Sequence, residues 1–275
     1  MATDSGRVLS ISVGGVRKFE YRGHPAQSAI WKSPVSGRIA ARGVNLTGDR
    51  QADLEAHGGP DKVVYAYAVE DARRWEREVG SSLSYGAFGE NLTTEGIEVN
   101  DALVGERWRI GSAAFEVSEP RIPCWRLGVR MNDEMFPRRF SKAMRPGTYL
   151  RIVIAGDVCA RDEISVIEKP AHDVSIRDVF RIYTRDRHEV ARLLAIRSSR
   201  TAGGAGWRKP GSQGQRVSTS GNGGSALPKW IHWAVIDSAQ ARRSADQVSV
   251  HFRRVPRESC VARRLHKLET EGENP

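Results

Sequence analysis

Apolar and polar positions along the chain change period several times. Inside Gly6 to Gly15, the run Val8-Leu9-Ser10-Ile11-Ser12-Val13 mixes apolar and small polar residues as a half-buried strand does. Ile39-Ala40 and Gly43-Val44-Asn45-Leu46 are short strand-like pieces set apart by glycine. Val63-Val64-Tyr65-Ala66-Tyr67 is a β-favouring run behind the turn signal Gly58-Gly59-Pro60-Asp61. The period then becomes helical. Val69, Ala72, Trp75 and Val79 recur every three or four residues up to Gly80, which predicts one amphipathic helix with a glycine stop.

Short strands return between Glu98 and Glu168. They are Arg107 to Ile110, Ala114 to Val117 behind Gly111, Tyr149 to Ile154, and Glu163 to Ile167 behind a Gly156-Asp157 turn. Many short strands with Gly or Pro between them predict a closed or nearly closed β-barrel. Cys124 to Met144 is richer in turn and helix formers. Past Pro170 the pattern is helical again. Ser175 with Asp178 reads as a capping box opening Ile176 to Tyr183, and Asp186 with Glu189 opens a second helix carrying Val190, Leu193 and Leu194. The expected fold is mainly β with α: a barrel over 1–169, a small helical appendage over 170–197, and an irregular tail over 198–275. No internal repeat is visible.

Composition narrows the class. A chain of 275 residues with 39% hydrophobic and 28% charged residues can bury a sizeable core and is not wholly disordered. No apolar run approaches the roughly 18 residues that span a bilayer. Met1 to Arg7 lacks the basic-then-apolar order of a secretory signal, and three scattered cysteines make no disulfide framework. The expectation is a cytoplasmic protein. Arg197 to Pro275 carries 14 Lys and Arg against 6 Asp and Glu, so it supplies most of the net charge of +10. Within it, Thr201 to Ser225 is Gly/Ser-rich and linker-like. The abrupt loss of periodicity there also fits a read-through or frame-shifted extension. Arginines near Trp207, Trp230 and Trp233 are a generic nucleic-acid combination. With no zinc-finger, helix-turn-helix or RNP pattern beside them, a solvated tail is favoured over a nucleic-acid surface.

Three clusters carry chemistry. In Gly48 to Lys62, polar and glycine residues crowd a loop between strands, and His57 beside Gly58-Gly59 is either a proton donor or anion contact, or a turn histidine bonded to its own loop. Phe88-Gly89-Glu90-Asn91-Leu92-Thr93-Thr94 can cradle a phosphate or a heterocycle edge, or be an ordinary turn. In Glu119-Pro120-Arg121-Ile122-Pro123-Cys124-Trp125-Arg126, prolines stiffen the approach to Cys124, and Arg121 and Arg126 favour its thiolate. A thiolate is a nucleophile or a soft ligand for a thiophilic metal, whereas a lone cysteine is more commonly a packing residue. The lack of a CxxC pair and of ligand-spaced histidines argues against zinc. Cys159 reads as a small core or turn residue, and Cys260 belongs to the tail.

Taken in order, these clusters resemble the MOSC domain family, specifically its YiiM-like branch associated with resistance to N-hydroxylaminopurine. The matching stretches are Gly23-His24-Pro25 and Ile30 to Val35, the GDRQADLEAHGGPDKVVYAY block, YGAFGENLT, VGERWRIGSAAFEVSEPRIPCWRL, and GDVCARDEISVIEK, all within about 7–196. The resemblance implies a β-barrel that binds the molybdenum cofactor, with the Cys124 thiolate as the protein's ligand to molybdenum. It also carries an association with pyridoxal phosphate. The implied chemistry is two-electron reduction of N-hydroxylated bases and related compounds, a detoxification, with electrons from a separate flavin-dependent reductase. No flavin or nicotinamide fingerprint occurs in this chain, in keeping with an external donor. Cys124 and His57 are the candidate catalytic residues. Lys32, Arg50, Lys62 and Arg121, with His57, are candidates for the cofactor phosphate, the pterin edge or proton delivery, and Asn91 for a hydrogen bond to pterin or substrate. After Ile196 the family's third appended helix, with a Leu/Trp-rich face, is replaced by the Gly/Ser tract, with Trp207-Arg208-Lys209 as its remnant. A non-catalytic cofactor carrier or sulfur-handling module, and a nucleic-acid-binding protein acting through the tail, are the alternative readings.

Overall fold

Strand β1 (Ser5–Val13) is where the sheet closes on itself, pairing antiparallel with Leu92 to Glu95 on one side and Glu163 to Ser165 on the other. The computed structural model describes residues 4–52 and 58–196. Along it, β1 is followed by a hairpin of β2 (Arg17–Tyr21) and β3 (His24–Ser28), then β4 (Ser33–Val35), β5 (Ile39–Arg42) and β6 (Asn45–Leu46). A 3-10 turn at Pro60–Lys62 leads into β7 (Val64–Ala68), helix α1 (Val69–Val79), β8 (Leu92–Glu95), β9 (Arg107–Ile110) and β10 (Ala113–Pro120). Helices α2 (Trp125–Met131) and α3 (Phe136–Ala143) precede β11 (Thr148–Ile154), β12 (Gly156–Val158), β13 (Glu163–Glu168) and α4 (Ile176–Thr184), and a 3-10 helix at Arg187–Leu193 follows.

Among the described residues the barrel runs β1-β8-β7-β11-β10-β9-β13 and back to β1, with β4 paired to the far half of β1. Only the β7–β8 neighbours in this ring are parallel, as the crossover through α1 requires. Closure leaves the ring without an open edge. This is the barrel that the alternating segments predict, and the helix ending at Gly80 is α1, whose glycine takes the left-handed conformation (φ 72°) and bonds back to Glu76 O.

Strand β7 shows how two cores arise from one period. Its five residues are all buried, so neither face meets water. Val64, Ala66 and Ala68 point into the barrel with Trp108, Phe115 and Leu150. Tyr65 and Tyr67 point the other way, into an aromatic cluster with Trp75 of α1, Phe88, and Phe136 and Phe140 of α3. Trp75 Nε1 donates to the Tyr67 hydroxyl at 2.9 Å, so the polar ends of that cluster satisfy each other. Helices α1 and α3 therefore cover one side of the barrel and stack Phe140 on Tyr67, ring centres 5.8 Å apart.

The structure departs from expectation at four places. Arg17 to Ser28 forms the β2–β3 hairpin, whose alternation is weak because most of its side chains are exposed or half-buried. Gly156-Asp157 opens a short strand paired with β5 rather than a turn. Leu92 to Glu95 is a buried barrel strand, not an extension of the loop before it. The element after Asp186 winds as a 3-10 helix; it buries Leu193 while Leu194 stays exposed. Val174, Ile176, Val179, Ile182, Leu193 and Ile196 join the same core as the barrel residues. The expectations for the tail, and for Asp53 to His57, lie outside the described residues. No described helix is long and apolar enough to cross a membrane.

Ser175 caps α4 as the sequence indicates: its hydroxyl accepts from Asp178 N, and the Asp178 carboxylate accepts from Ser175 N. Replacing Ser175 by Ala should lower the unfolding free energy by about 1 kcal/mol in urea titrations, the usual cost of a lost cap.

Candidate functional site

The register of the barrel gathers the nominated residues at one end. The last residues of β1 and β10 and the first of β7, β8 and β11 lie side by side there, since Ile11 faces Leu92 and Pro120 faces Thr148. Between Val117 and Glu119 the pairing with β11 slips by one residue, a bulge that places Glu119 opposite Tyr149. Pro120 and Pro123 lack the N–H groups needed to extend the ladder, so the chain leaves the sheet and delivers Arg121 and Cys124 to the rim. Cys124 adopts extended geometry immediately before α2 and is half-buried.

A cavity of about 110 Å3 opens at this end. Its lining includes Lys32, Arg50, Lys62, Asn91, Arg121 and Cys124, six of the seven residues nominated from sequence. The seventh, His57, lies outside the described residues. Asp49, Tyr65, Tyr149 and Arg126 also line the cavity and were not singled out for it. Gly48-Asp49-Arg50 carried a signal for Asp49, a carboxylate between a turn glycine and an arginine. Nothing local marks the two tyrosines, which look like any strand aromatics until the register is known.

These side chains differ in what they still have to offer a ligand. Asp49 is almost fully buried, accepting hydrogen bonds from Gly14 N (2.9 Å), Asn91 Nδ2 (3.0 Å) and Lys32 Nζ. Burial lowers the Lys32 pKa, against the pull of Asp49. Asn91 donates its other amide hydrogen to Ser12 O (3.1 Å), while its Oδ1 accepts from Tyr65 N (3.1 Å). Both amide hydrogens of Asn91 are thus spent on the frame, pinning β1, β7 and the Asp49 turn together. The loop before it is filled from within. The buried Glu90 carboxylate accepts from Gly86 N (2.6 Å), Phe88 N (3.0 Å) and the Thr93 hydroxyl (3.0 Å), so those donors face Glu90.

Lys62 sits at the end of the 3-10 turn, partly exposed, 3.2 Å from Glu119. Gln51 ties that turn down, accepting from Gly59 N at 2.8 Å. Arg50 is exposed and its guanidinium donates to the Asp49 carbonyl at 3.1 Å. Arg126 lies over the Trp125 ring, 4.8 Å from its centre.

Arg121 is the innermost cation, only 6% exposed. Its guanidinium lies 5.2 Å from the Tyr65 ring centre and 5.7 Å from that of Phe140. The Tyr65 hydroxyl donates to Pro146 O at 2.8 Å, which fixes the ring beneath the cation. Nη1 of Arg121 is buried without a hydrogen-bond partner. Burial works to lower the Arg121 pKa, but Tyr65, Tyr149 and Cys124 outweigh it and hold the group above its ordinary value. The cation lies close enough to Cys124 for charge to couple them, the electrostatics a thiolate needs. Burial pushes the Tyr149 phenol up to about 12, so it stays protonated, as a donor, at neutral pH.

Among the described residues no group of three or more His, Cys, Asp and Glu could hold a metal ion together. The fold and the site together define a class: a closed barrel that presents a cysteine in a cation-lined cavity at one end.

Comparison with known proteins agrees with that class. Residues 53–165 match the MOSC domain. The chain is 32% identical over 189 residues to the uncharacterized protein YflK of Bacillus subtilis, covering 69% of this chain and 84% of that one. It is 30% identical over 154 residues to protein YiiM of Escherichia coli, covering 55% and 68%. A protein named Reductase from Gibberella moniliformis is 30% identical over 194 residues; the match covers 69% of this chain but 34% of that longer one. The crystal structure of YiiM from Geobacillus stearothermophilus superposes with a TM-score of 0.57 at 27% identity, over 70% of this chain and 91% of that one. The chain belongs to the MOSC domain family and is a homologue of the YiiM proteins.

The lowered Lys32 pKa has a testable consequence. Below its folded-state pKa the buried ammonium costs stability; between that value and the ordinary 10.5 the unfolded chain binds more protons, so stability rises with pH. Urea midpoints measured from pH 7 to pH 10 should show the wild type gaining on Lys32→Met as pH increases.

Proposed function

We propose that this protein is an oxidoreductase that binds the molybdenum cofactor at Cys124 and reduces N-hydroxylated compounds such as hydroxylaminopurines, with electrons from an external flavin-dependent donor. The observation that carries the reading is the pairing of Cys124 with the buried, unpartnered Arg121 Nη1 in one cavity. The donor set suits the cofactor. One soft sulfur can complete a metal that brings its own dithiolene, and the cations match the charge of dithiolene and phosphate. The enclosed space, about 110 Å3, is below the roughly 300–1,000 Å3 of typical ligand pockets, so it would take only part of such a group. A reductase among the relatives supports the reaction type.

When bound, the cofactor supplies a two-electron centre with open positions for an oxygen of the substrate. The reaction consumes two electrons and two protons, breaks the N–O bond, and gives the amine and water. The chain's own residues do the rest. Cys124 anchors the metal, and Arg121 stabilises negative charge beside it. Arg50 and Lys62, nearer the rim, contact the phosphate or the pterin edge. Lys32, Asp49 and Asn91 hold the wall in place, with Asn91 and Lys32 acting through that frame. The Tyr149 hydroxyl, protonated at the cavity, would be available to donate a hydrogen bond to an oxygen of the substrate. His57, immediately before Gly58-Gly59, is the residue the sequence nominates for proton delivery.

Expression in a cofactor-competent host should give close to one molybdenum per chain, and Cys124→Ser should lower that content at least tenfold while the fold persists. Supplied with a flavin-dependent reductase, the wild type should convert 6-hydroxylaminopurine to adenine. Molybdenum bound without that turnover would favour the carrier reading; wild-type protein free of molybdenum would end both.

A further inference from the structure

We propose that the β2–β3 hairpin and the start of α2 form one docking face, on which an acidic, flavin-carrying electron-transfer protein seats to deliver electrons to the cavity. The proposal rests on the reductase reading above and names the surface its donor uses. It starts from where the charge lies. Residues 16–32 and 121–132 carry seven Lys and Arg against one acidic residue, Glu20, whereas the rest of 1–196 carries 22 against 26. Lys32 and Arg121 belong to the cavity wall. Arg17, Lys18 and Arg22 are exposed, and Arg126 and Arg130 are half-buried.

A hairpin of two strands is marginal by itself in water, and among the described residues β2–β3 pairs with no other strand. Side chains hold it to α2 instead. Tyr21 stacks on Trp125 with ring centres 4.3 Å apart, and Phe19 lies 5.0 Å from Trp31 and 6.1 Å from Trp125. Both Glu134 oxygens accept from Arg22, at 3.0 and 3.1 Å, and Arg126 Nε donates to Gln27 O at 3.4 Å. Hairpin and helix are thus one surface, and Ser28, Ile30, Ile122 and Arg126 carry it into the mouth of the cavity.

Anchoring accounts for Arg22 and the rings but not for the other cations. Arg17 lies 5.7 Å from the Trp31 ring centre, and among the described residues neither it nor Lys18 has a carboxylate within ion-pair distance. Arg130 Nε is buried without a hydrogen-bond partner, and Arg17 works with burial to lower the Arg130 pKa. Like charges gathered on one face repel one another and attract an acidic surface from about a Debye length away. Exposed apolar side chains lie in the same face: Val16, Ile122 and Met135, at 42%, 38% and 52% exposure. Arginine, aromatic and methionine side chains together are the composition of a protein interface. Glu20 and Glu134 interrupt the positive charge, which a protein can match with a base of its own and a phosphate backbone cannot. Ile122 is two residues from Cys124, so a partner seated here brings its flavin to the open end of the cavity. Each turnover takes two electrons from that reduced flavin, which becomes oxidised, and two protons; the N–O bond breaks, leaving amine and water.

The test uses the molybdenum-loaded full chain with two donors: an acidic, FMN-carrying flavodoxin kept reduced by its NADPH-dependent reductase, and dithionite, which needs no docking. Arg17→Glu/Lys18→Glu should raise the flavodoxin concentration for half-maximal turnover of 6-hydroxylaminopurine about tenfold or more in about 20 mM NaCl. Its dithionite-driven turnover should stay within about twofold of wild type, since neither residue lines the cavity. Met135→Asp should raise the half-maximal concentration several-fold. Arg74→Glu/Arg77→Glu, the same change of charge on α1, should leave it unchanged. For wild type that concentration should climb several-fold between about 20 and 200 mM NaCl, and the double variant on the hairpin should lose most of this dependence.

Equal use of flavodoxin by wild type and Arg17→Glu/Lys18→Glu, or an equal loss in the α1 variant, would overturn the proposal and leave the reductase reading standing. Wild type that turns over with neither donor removes that reading. The surface is then judged by flavodoxin binding to the immobilised chain, which should still weaken about tenfold in the double variant on the hairpin. No binding of flavodoxin by wild type, or a single-stranded DNA 20-mer bound in its place through the same residues, would overturn the assignment of an acidic protein.

Discussion

A guanidinium held against aromatic rings, with no carboxylate bonded to it among the described residues, is the constraint around which this end of the barrel is organised. Burying a charge costs several kcal/mol unless something answers it, and a cation over a ring recovers about 0.5–2 kcal/mol. An acidic partner would neutralise Arg121 permanently and close the site to anions. Rings stabilise the cation while leaving its N–H groups to act. The alternation of β7 supplies Tyr65, α3 supplies Phe140, and the bulge of β10 with Pro120 at its end and Pro123 beyond it supplies the arginine itself. Changing any of these moves the charge that sits beside Cys124.

The opposite wall is built on saturation instead. Lys32, Asp49 and Asn91 form a chain in which Asp49 accepts from three donors and Asn91 spends both amide hydrogens. Such a network is rigid because breaking one bond strands a buried polar group, at a cost of about 1–3 kcal/mol. One wall holds a guanidinium nitrogen with no partner, while on the other Asp49 and Asn91 are already committed to each other and to the frame. A ligand in the cavity would be oriented by that asymmetry, with its anionic part toward Arg121 and Lys62.

The same economy governs metal chemistry. Among the described residues Cys124 has no cluster of further metal ligands around it, so under the proposed reading a metal would come with its own ligands. Specificity then rests on the cations and on the shape of the cavity. It also follows that most of the fold can vary while the register that brings β1, β7, β8, β10 and β11 to one rim is kept.

Wherever period and punctuation agree, the sequence alone determined the outcome: the β1 strand, the helix stopped by Gly80, the capped α4, and a barrel of short strands. It also determined that Cys124 would emerge beside arginines from a proline-stiffened segment, because prolines end a ladder whatever surrounds them. Alternation could not reveal the β2–β3 hairpin, since a half-exposed hairpin has no buried face to impose a pattern. The 3-10 winding after Asp186 follows from how Leu193 meets the core, which no window of sequence records. Above all, only the tertiary structure decided which polar residues are spent and which remain available. Asn91 and Arg121 look equally available in the sequence; register gives one all its partners and leaves the other facing aromatic carbon, because hydrogen-bond satisfaction depends on neighbours dozens of residues away.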